Sequence, residues 1–377
     1  MRILYIFRSL AVWGGIERVL VEKMNHLVTM YGDDVYMLTT DQGDHPVPYS
    51  LEPRVNIEDL GILFYTQYRY SGLRRIWEDY KRTKLFEKKL LERIDVIKPD
   101  VIVCTTTDPV YSITRVKGSA RLIIEAHNIC SRALGEKGPH QRIVAWLLKR
   151  GLKKSDVLVA LTEGDAMEWR RFHSNVTVIP DLVHLNKGAF SSLDNKRVIW
   201  VGRYDYQKQP MEILKIWEMV YPHFPDWHLD IYGEGIMRHE LEETVKLLDM
   251  NIHIHQPTDQ IFEAYKNSSV LVSTSLFEPF GLVIPEAMSC GLPVVAYNCP
   301  YGPSMIITDK INGYLVDKNQ YDSFCDYLCV LMSDISRRKR MGANAVDSVK
   351  CFSPDIIMPM WKELFDRISA ALSSFSA

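Results

Sequence analysis

The stretch V-L-V-S-T-S-L-F-E-P-F-G-L-V-I-P-E-A-M-S-C-G-L-P-V-V-A-Y runs from Val270 to Tyr297 and decides the fold. Val270 to Thr274 is a short apolar run with β-branched residues, the pattern of a buried strand. Ser275 to Gly281 reads as a loop carrying Pro and Gly. Leu282 to Cys290 reads as a helix that tolerates Pro285 in its first turn. Gly291 marks the end of that helix and Pro293 lies just beyond. Val294 to Ala296 is a second buried strand. Strand, loop, helix and strand in this order make one unit of a parallel sheet.

The chemistry of the stretch sits in its loop and first helical turn. Gly281 lets a ligand approach the backbone closely. The N–H groups opening the helix and the positive end of its dipole suit a phosphate. Glu278 lies in the loop at the strand's carboxyl end. Glu286 follows eight positions later and is expected to face the same cleft. A carboxylate near a bound nucleotide commonly accepts hydrogen bonds from ribose hydroxyls.

This stretch resembles the signature of the retaining GT-B glycosyltransferases of family 4. Glu278-Pro279-Phe280-Gly281-Leu282 and Glu286-Ala287-Met288 match it, as do Cys290-Gly291 and Pro293 to Ala296. Further matches lie along the chain. Gly14-Gly15-Ile16-Glu17-Arg18 sits between a first strand, Arg2 to Phe7, and a helix from Ile16 to Met30. Gly202-Arg203 and Lys208 follow the strand Arg197 to Val201 and precede a helix opened by Pro210. Tyr232-Gly233-Glu234-Gly235 and Asn312 to Val316 also match. Where many relatives carry Glu in G-P-x-E-I-I, this chain has Met305, which removes one polar contact.

The resemblance implies an α/β protein of GT-B architecture, with two Rossmann-like domains facing across a cleft. The acceptor-binding domain is expected over residues 1–180, with a C-terminal helix of about 355–377 crossing back to it. The nucleotide-sugar domain is expected over 181–354, with 181–196 as the linker. The activity implied is a retaining, metal-independent sugar transfer to a hydroxyl of a saccharide or lipid-linked acceptor. A UDP-sugar is the favoured donor, and surface polysaccharide or glycan biosynthesis the setting. By resemblance, Arg203 and Lys208 neutralise the leaving diphosphate, Glu278 holds the donor sugar and Glu286 the ribose. His127, directly after the strand Arg121 to Ala126, contacts the donor sugar or helps the transition state. Gly15, Gly202, Gly233, Phe280, Gly281 and Leu282 complete the expected donor site. No cofactor and no metal are expected, and no Asp-x-Asp motif occurs.

The remaining residues bound the reading. At 377 residues the chain suits two domains, and its composition is that of an ordinary globular protein. No apolar run reaches ~18 residues, so no membrane span is expected. The N-terminal M-R-I-L-Y-I-F-R reads as a strand, not a secretory leader. Seven scattered cysteines without C-x-x-C suit a reducing cytoplasm. His253 and His255 on a strand at Ile252 to His255 read as exposed residues and not as metal ligands. Thr105, Thr106, Thr107 and Asp108, after a strand at Asp100 to Cys104, stand where open α/β sheets bind ligands.

Residues 1–180 hold 27 Lys+Arg against 22 Asp+Glu, and residues 181–377 hold 18 against 25. The basic half includes a long helix from Leu73 to Ile97 and an amphipathic helix from His140 to Lys154. A peripheral contact with an anionic membrane, on the inner face, is therefore an expectation beside a purely solvated basic surface. No nucleic-acid partner is expected. Rival readings are a GT-B-like sugar-nucleotide epimerase or phosphorylase and a sugar-nucleotide binding module without catalysis. A dinucleotide oxidoreductase is disfavoured because G-E-G lacks the third glycine of its fingerprint.

Overall fold

The computed structural model describes residues 1–105, 109–135 and 139–373. The chain divides into two units, Met1–Pro180 with Ile357–Ala377, and Asp181–Ile356. Each is built on a parallel sheet.

In the first unit the strands are β1 (Arg2–Phe7), β2 (Asp34–Thr39), β3 (Asn56–Asp59), β4 (Val101–Cys104), β5 (Arg121–Ala126), β6 (Val157–Ala160) and β7 (Val176–Val178). Their order is β3-β2-β1-β4-β5-β6-β7. The central strands read V-I-V-C and V-L-V-A and are buried at every position. Strands covered by helices on both faces need such continuous apolar runs, because neither face meets water. The order reverses between β1 and β4, which pair from Ile3–Val101 to Ile6–Cys104.

In the second unit the strands are β8 (Arg197–Val201), β9 (His228–Tyr232), β10 (Ile252–His255), β11 (Val270–Ser273), β12 (Val294–Tyr297) and β13 (Gly313–Val316), in the order β10-β9-β8-β11-β12-β13. Here the reversal falls between β8 and β11, which pair at Val270–Val198, Leu271–Ile199 and Val272–Trp200. Ligands of open α/β sheets bind outside the carboxyl ends of the strands at such a reversal. The loops after β8 and β11 carry the motif residues.

Several elements differ from the expectations above. The helix after the E-P-F-G loop is shorter, Val283–Ser289. The aromatic segment at residues 61–70 contains a 3-10 helix, Phe64–Arg69. Short helices at Val110–Val116 and Ile261–Lys266 escape a periodicity reading because two turns hold too few apolar positions to define a face. His255 is not simply exposed: its Nε2 lies 2.8 Å from Asp230 Oδ1. The C-terminal helix begins at Pro354, and its residues from Ile357 belong to the first unit.

Candidate active site

The loop after β8 is a tight turn organised by Asp205. Its Oδ1 accepts from the backbone N–H of Gln207 and of Lys208, both at 3.0 Å. The turn delivers the chain to Pro210, the first residue of the helix Pro210–Val220. A proline costs nothing there, because the first-turn N–H has no helical partner. Gln207 ties this loop to its neighbour: its Nε2 donates to Phe277 O at 3.0 Å and its carbonyl accepts from Leu276 N at 2.8 Å.

At the end of β11, Thr274 is fully buried. Its hydroxyl lies 3.0 Å from the carbonyls of Lys208 and Gln209 and accepts from Trp200 Nε1 at 2.9 Å. The two loops are thus clamped at backbone level. The clamp brings together two side chains 70 residues apart, Lys208 and Glu278, in a part-buried ion pair. Ser275 Oγ donates to the same Glu278 oxygen at 2.6 Å. The backbone of Glu278 is held too, its carbonyl accepting from Tyr301 N and Gly302 N at 2.8 Å.

Gly202 and Gly233 close this side of the unit. Gly202 N donates to Tyr232 O at 3.0 Å. A Cβ on Gly233 would overlap the Gly202 carbonyl oxygen, and its φ of +152° disfavours any side chain. Gly281 has φ +95°, again a glycine conformation.

Other expected residues stand differently. Arg203 is 68% exposed and pairs with Asp205 at 3.2 Å and Gln207 Oε1 at 3.1 Å. Each of the two expected phosphate cations therefore has an acidic partner already. Phe280 is buried against Phe352, ring centroids 5.1 Å apart and edge to face, so its ring is core packing. Leu282 flanks the short helix and is half-buried. That helix offers fewer N–H groups than expected: Pro285 has none, and Ile284 N is spent on Gly281 O at 3.0 Å. Glu286 is buried, with Tyr265 Oη 3.5 Å from its Oε2.

In the first unit, Gly15 is exposed and opens the helix Gly15–Met30. His127 is buried at the end of β5, with Nε2 3.3 Å from Glu125 Oε1. Glu125 also takes Lys23 Nζ at 2.7 Å. Burial works against the charged carboxylate, but Lys23 and His127 outweigh it and hold Glu125 down at about 2. Thr105 is buried and donates to Ile6 O at 3.2 Å. Thr106, Thr107 and Asp108 lie outside the described residues.

Sequence reasoning missed Asp205, Gln207, Thr274 and Ser275. The signal for them was present. Asp at the start of a turn and Ser or Thr at a strand's carboxyl end are residues that bond nearby backbone or side chains.

The arrangement can do one kind of chemistry well. A fixed lysine, a fixed carboxylate and glycines that admit close approach sit at a sheet's reversal point. Residues 186–347 match the family described as Glycosyl transferases group 1, and residues 13–187 match Glycosyltransferase Family 4. This chain is a GT-B glycosyltransferase of the family 4 type. It is 25% identical over 355 residues to an uncharacterized glycosyltransferase of Haemophilus influenzae, covering 93% of this chain and 95% of that protein. It is 25% identical over 381 residues to a Campylobacter jejuni α-1,4-N-acetyl-D-galactosaminyltransferase named for a GalNAc-containing, diphosphate-linked undecaprenol glycan, covering 98% and 100%. The fold resembles that of a TarM variant from S. aureus in complex with fondaparinux, alpha-GlcNAc-glycerol and UDP, with TM-score 0.79, 14% identity and coverage of 97% and 99%. The GT-B glycosyltransferase architecture is thus established for this chain.

Proposed function

We propose that this glycosyltransferase moves a sugar from a nucleotide-sugar, with UDP as the favoured nucleotide, to a hydroxyl of a saccharide or lipid-linked acceptor. The anomeric configuration is retained and no metal is needed. The setting is polysaccharide or glycan biosynthesis. The Lys208–Glu278–Ser275 cluster at the ends of β8 and β11 carries this reading.

Leaving-group departure puts negative charge on a diphosphate. An ammonium has three N–H donors, so Lys208 can keep Glu278 and still meet a phosphate oxygen. Arg203, on an exposed and adaptable side chain, adds a second cation with a forked geometry suited to phosphate. Fixed charges of this kind stabilise a transition state without reorganising. Glu278, held by Ser275 and Lys208, accepts from donor-sugar hydroxyls. Glu286 holds the ribose. In the first unit, Gly15 approaches the diphosphate and His127 contacts the sugar. Two relatives support the donor and acceptor classes: the TarM complex contains UDP, and the Campylobacter jejuni enzyme is named for an undecaprenol-linked glycan.

A lipid-linked acceptor brings the enzyme to a membrane. Among the described residues no helix is long and apolar enough to cross one. The helix Gly72–Ile97 instead supports peripheral docking. Its second half buries Phe86, Leu90, Ile94 and Ile97, whereas its first half exposes Leu73, Ile76, Trp77 and Tyr80 at helical spacing.

The reading is tested by thermal shift with UDP-, GDP- and ADP-sugars, followed by release of the nucleoside diphosphate. A specific donor at 100 times its Kd stabilises by about 2.7 kcal/mol. If no sugar-nucleotide stabilises the protein, the donor assignment fails.

A further inference from the structure

We propose that the Trp13 ring is the platform on which the acceptor saccharide stacks, and that Tyr49 braces it. The proposal rests on the reading of this chain as a transferase that carries a sugar from a nucleotide to a saccharide. It adds a specificity-determining residue on the acceptor side, within the first unit.

The sequence places Trp13 directly before Gly14-Gly15, in the loop between β1 and the helix Gly15–Met30. That loop leaves the carboxyl end of β1, at the strand-order reversal with β4, where open α/β sheets bind ligands. Tyr49 arrives from the segment after β2, the other neighbour of β1. The Trp13 and Tyr49 rings meet edge to face, with centroids 5.0 Å apart and planes at 76°. Tyr49 Oη donates to Gly14 O at 2.9 Å, and Gly14 N donates to Val12 O at 2.9 Å. The residue on each side of Trp13 is thus held. Further back, Gln42 Oε1 accepts from Leu10 N at 2.7 Å and from Ser9 Oγ at 3.0 Å. Arg8 O accepts from Thr40 N at 3.0 Å and Asp41 N at 2.8 Å.

Yet on this tied loop Trp13 is 56% exposed. A large ring left in water forgoes the gain of burial, and a loop already ordered loses little further freedom when a ligand covers that ring. The chemistry of the ring selects the ligand. A pyranose has an apolar C–H face and a rim of hydroxyls. Its C–H face lies flat on an indole, whose electron-rich surface attracts hydrogens on carbons bearing oxygen. The hydroxyl rim is left for polar neighbours. The segment that carries Tyr49 exposes Gly43, Asp44 and His45, which suits such a rim and not a lipid tail.

The first test needs no donor. Protein labelled with nitrogen-15 in its eight tryptophans gives indole N–H signals, and Trp13→Phe assigns that of Trp13. The titrants are the methyl α-glycosides of glucose, galactose, N-acetylglucosamine and N-acetylgalactosamine. At least one is expected to move the Trp13 signal and to spare those of Trp77 and Trp146, which are as exposed. If none moves it, or if all three signals move alike, the proposal is overturned. The second test is kinetic, with the sugar-nucleotide found by the thermal-shift panel as donor and the selected glycoside as acceptor. Trp13→Ala is expected to raise KM for the glycoside about 10–100-fold with little change in kcat, the weight of covering one aromatic side chain. Trp13→Phe, which keeps a flat ring, is expected to raise it less, and Tyr49→Leu to raise it in the same pattern. A Trp13→Ala protein that is still stabilised by the sugar-nucleotide and has an unchanged KM for the glycoside overturns the proposal. If no sugar-nucleotide stabilises the unaltered protein, the donor reading fails instead, and the indole titration still decides the platform.

Discussion

Lys208 and Glu278 form one ion pair, although motif matching assigns the lysine to the diphosphate and the glutamate to the sugar. Their side chains are 16% and 6% exposed. Two groups expected to grip opposite ends of the donor thus grip each other. The pairing positions both before a substrate arrives. It also means that neither can be removed without stranding the other.

The first prediction follows from that coupling. Lys208→Ala is expected to lose about a hundredfold or more in turnover, since one fixed donor to developing charge is worth ~3 kcal/mol. It is also expected to lower Tm, because it leaves the nearly buried Glu278 carboxylate without its cation. Arg203→Ala is expected to lose turnover with Tm nearly unchanged, because its exposed pair with Asp205 contributes about 1 kcal/mol or less. Activity assays beside thermal melts check both. Equal Tm losses in the two variants would contradict the burial argument, and near-normal turnover in a folded double variant would remove the phosphate assignment.

The two glutamates are expected to differ in which ligand they serve. Glu286→Ala should weaken binding of the free nucleotide by roughly 10–100-fold, matching ~1.5–3 kcal/mol for a hydrogen bond to a charged group. Glu278→Ala should spare the free nucleotide and weaken the sugar-nucleotide. Titration calorimetry with UDP and a UDP-sugar separates the roles. Unchanged UDP affinity in Glu286→Ala would leave Glu286 as a buried partner of Tyr265 only.

How much of this was legible beforehand depends on range. Strand identity was legible because runs such as V-I-V-C have no polar side to show water. The loop residues were legible because glycines and the E-P-F-G segment are local. The Lys208–Glu278 pair was not, because it depends on β8 and β11 becoming neighbours, which no local period encodes. The packing of the Phe280 ring was hidden for the same reason: its partner, Phe352, is 72 residues away, and a motif position does not say which way a ring points. The Lys23–Glu125 pair spans 102 residues, and no local period names Glu125 as the partner of Lys23.

Asp165 gives a pH prediction. Burial raises its carboxyl from 3.8 to about 6, although Cys130 N and Trp169 Nε1 both donate to it at 2.8 Å. A folded-state value above the unfolded one favours the native state fully below pH 3.8. That contribution is lost as pH rises through about 6. The loss amounts to something on the order of 3 kcal/mol by neutral pH. Thermal melts from pH 4 to 7 should therefore show this group opposing stability at the upper end. Asp165→Asn keeps a carbonyl acceptor and removes the titration, so its Tm should change less across the window. The same slope in both proteins would assign it to other groups.

The last prediction concerns the membrane. The first half of the helix Gly72–Ile97 carries an apolar stripe that no core covers, with Leu73 84% exposed and Trp77 55% exposed. Cations lie over the aromatic rings around it: Arg74 over Tyr70 at 4.5 Å, Arg75 over Tyr68 at 4.7 Å and Lys81 over Trp77 at 5.2 Å. Aromatic rings beside Lys and Arg are the composition of a bilayer interface, where rings sit at headgroup depth and cations meet lipid phosphates. Each basic residue near an anionic surface contributes about 1 kcal/mol, and the attraction fades within a Debye length. Docking should therefore combine a salt-sensitive part and an apolar part. Co-sedimentation with anionic vesicles is expected at low salt, reduced at high salt and weak with neutral vesicles. Trp77→Ser and Leu73→Ser together should weaken binding at every salt concentration, whereas Arg74→Gln and Arg75→Gln should weaken it mainly at low salt. A protein that stays in the supernatant with anionic vesicles at low salt sinks the docking reading and leaves this stripe to cover something other than lipid. A protein that pellets equally with neutral vesicles and resists salt sinks the electrostatic half alone.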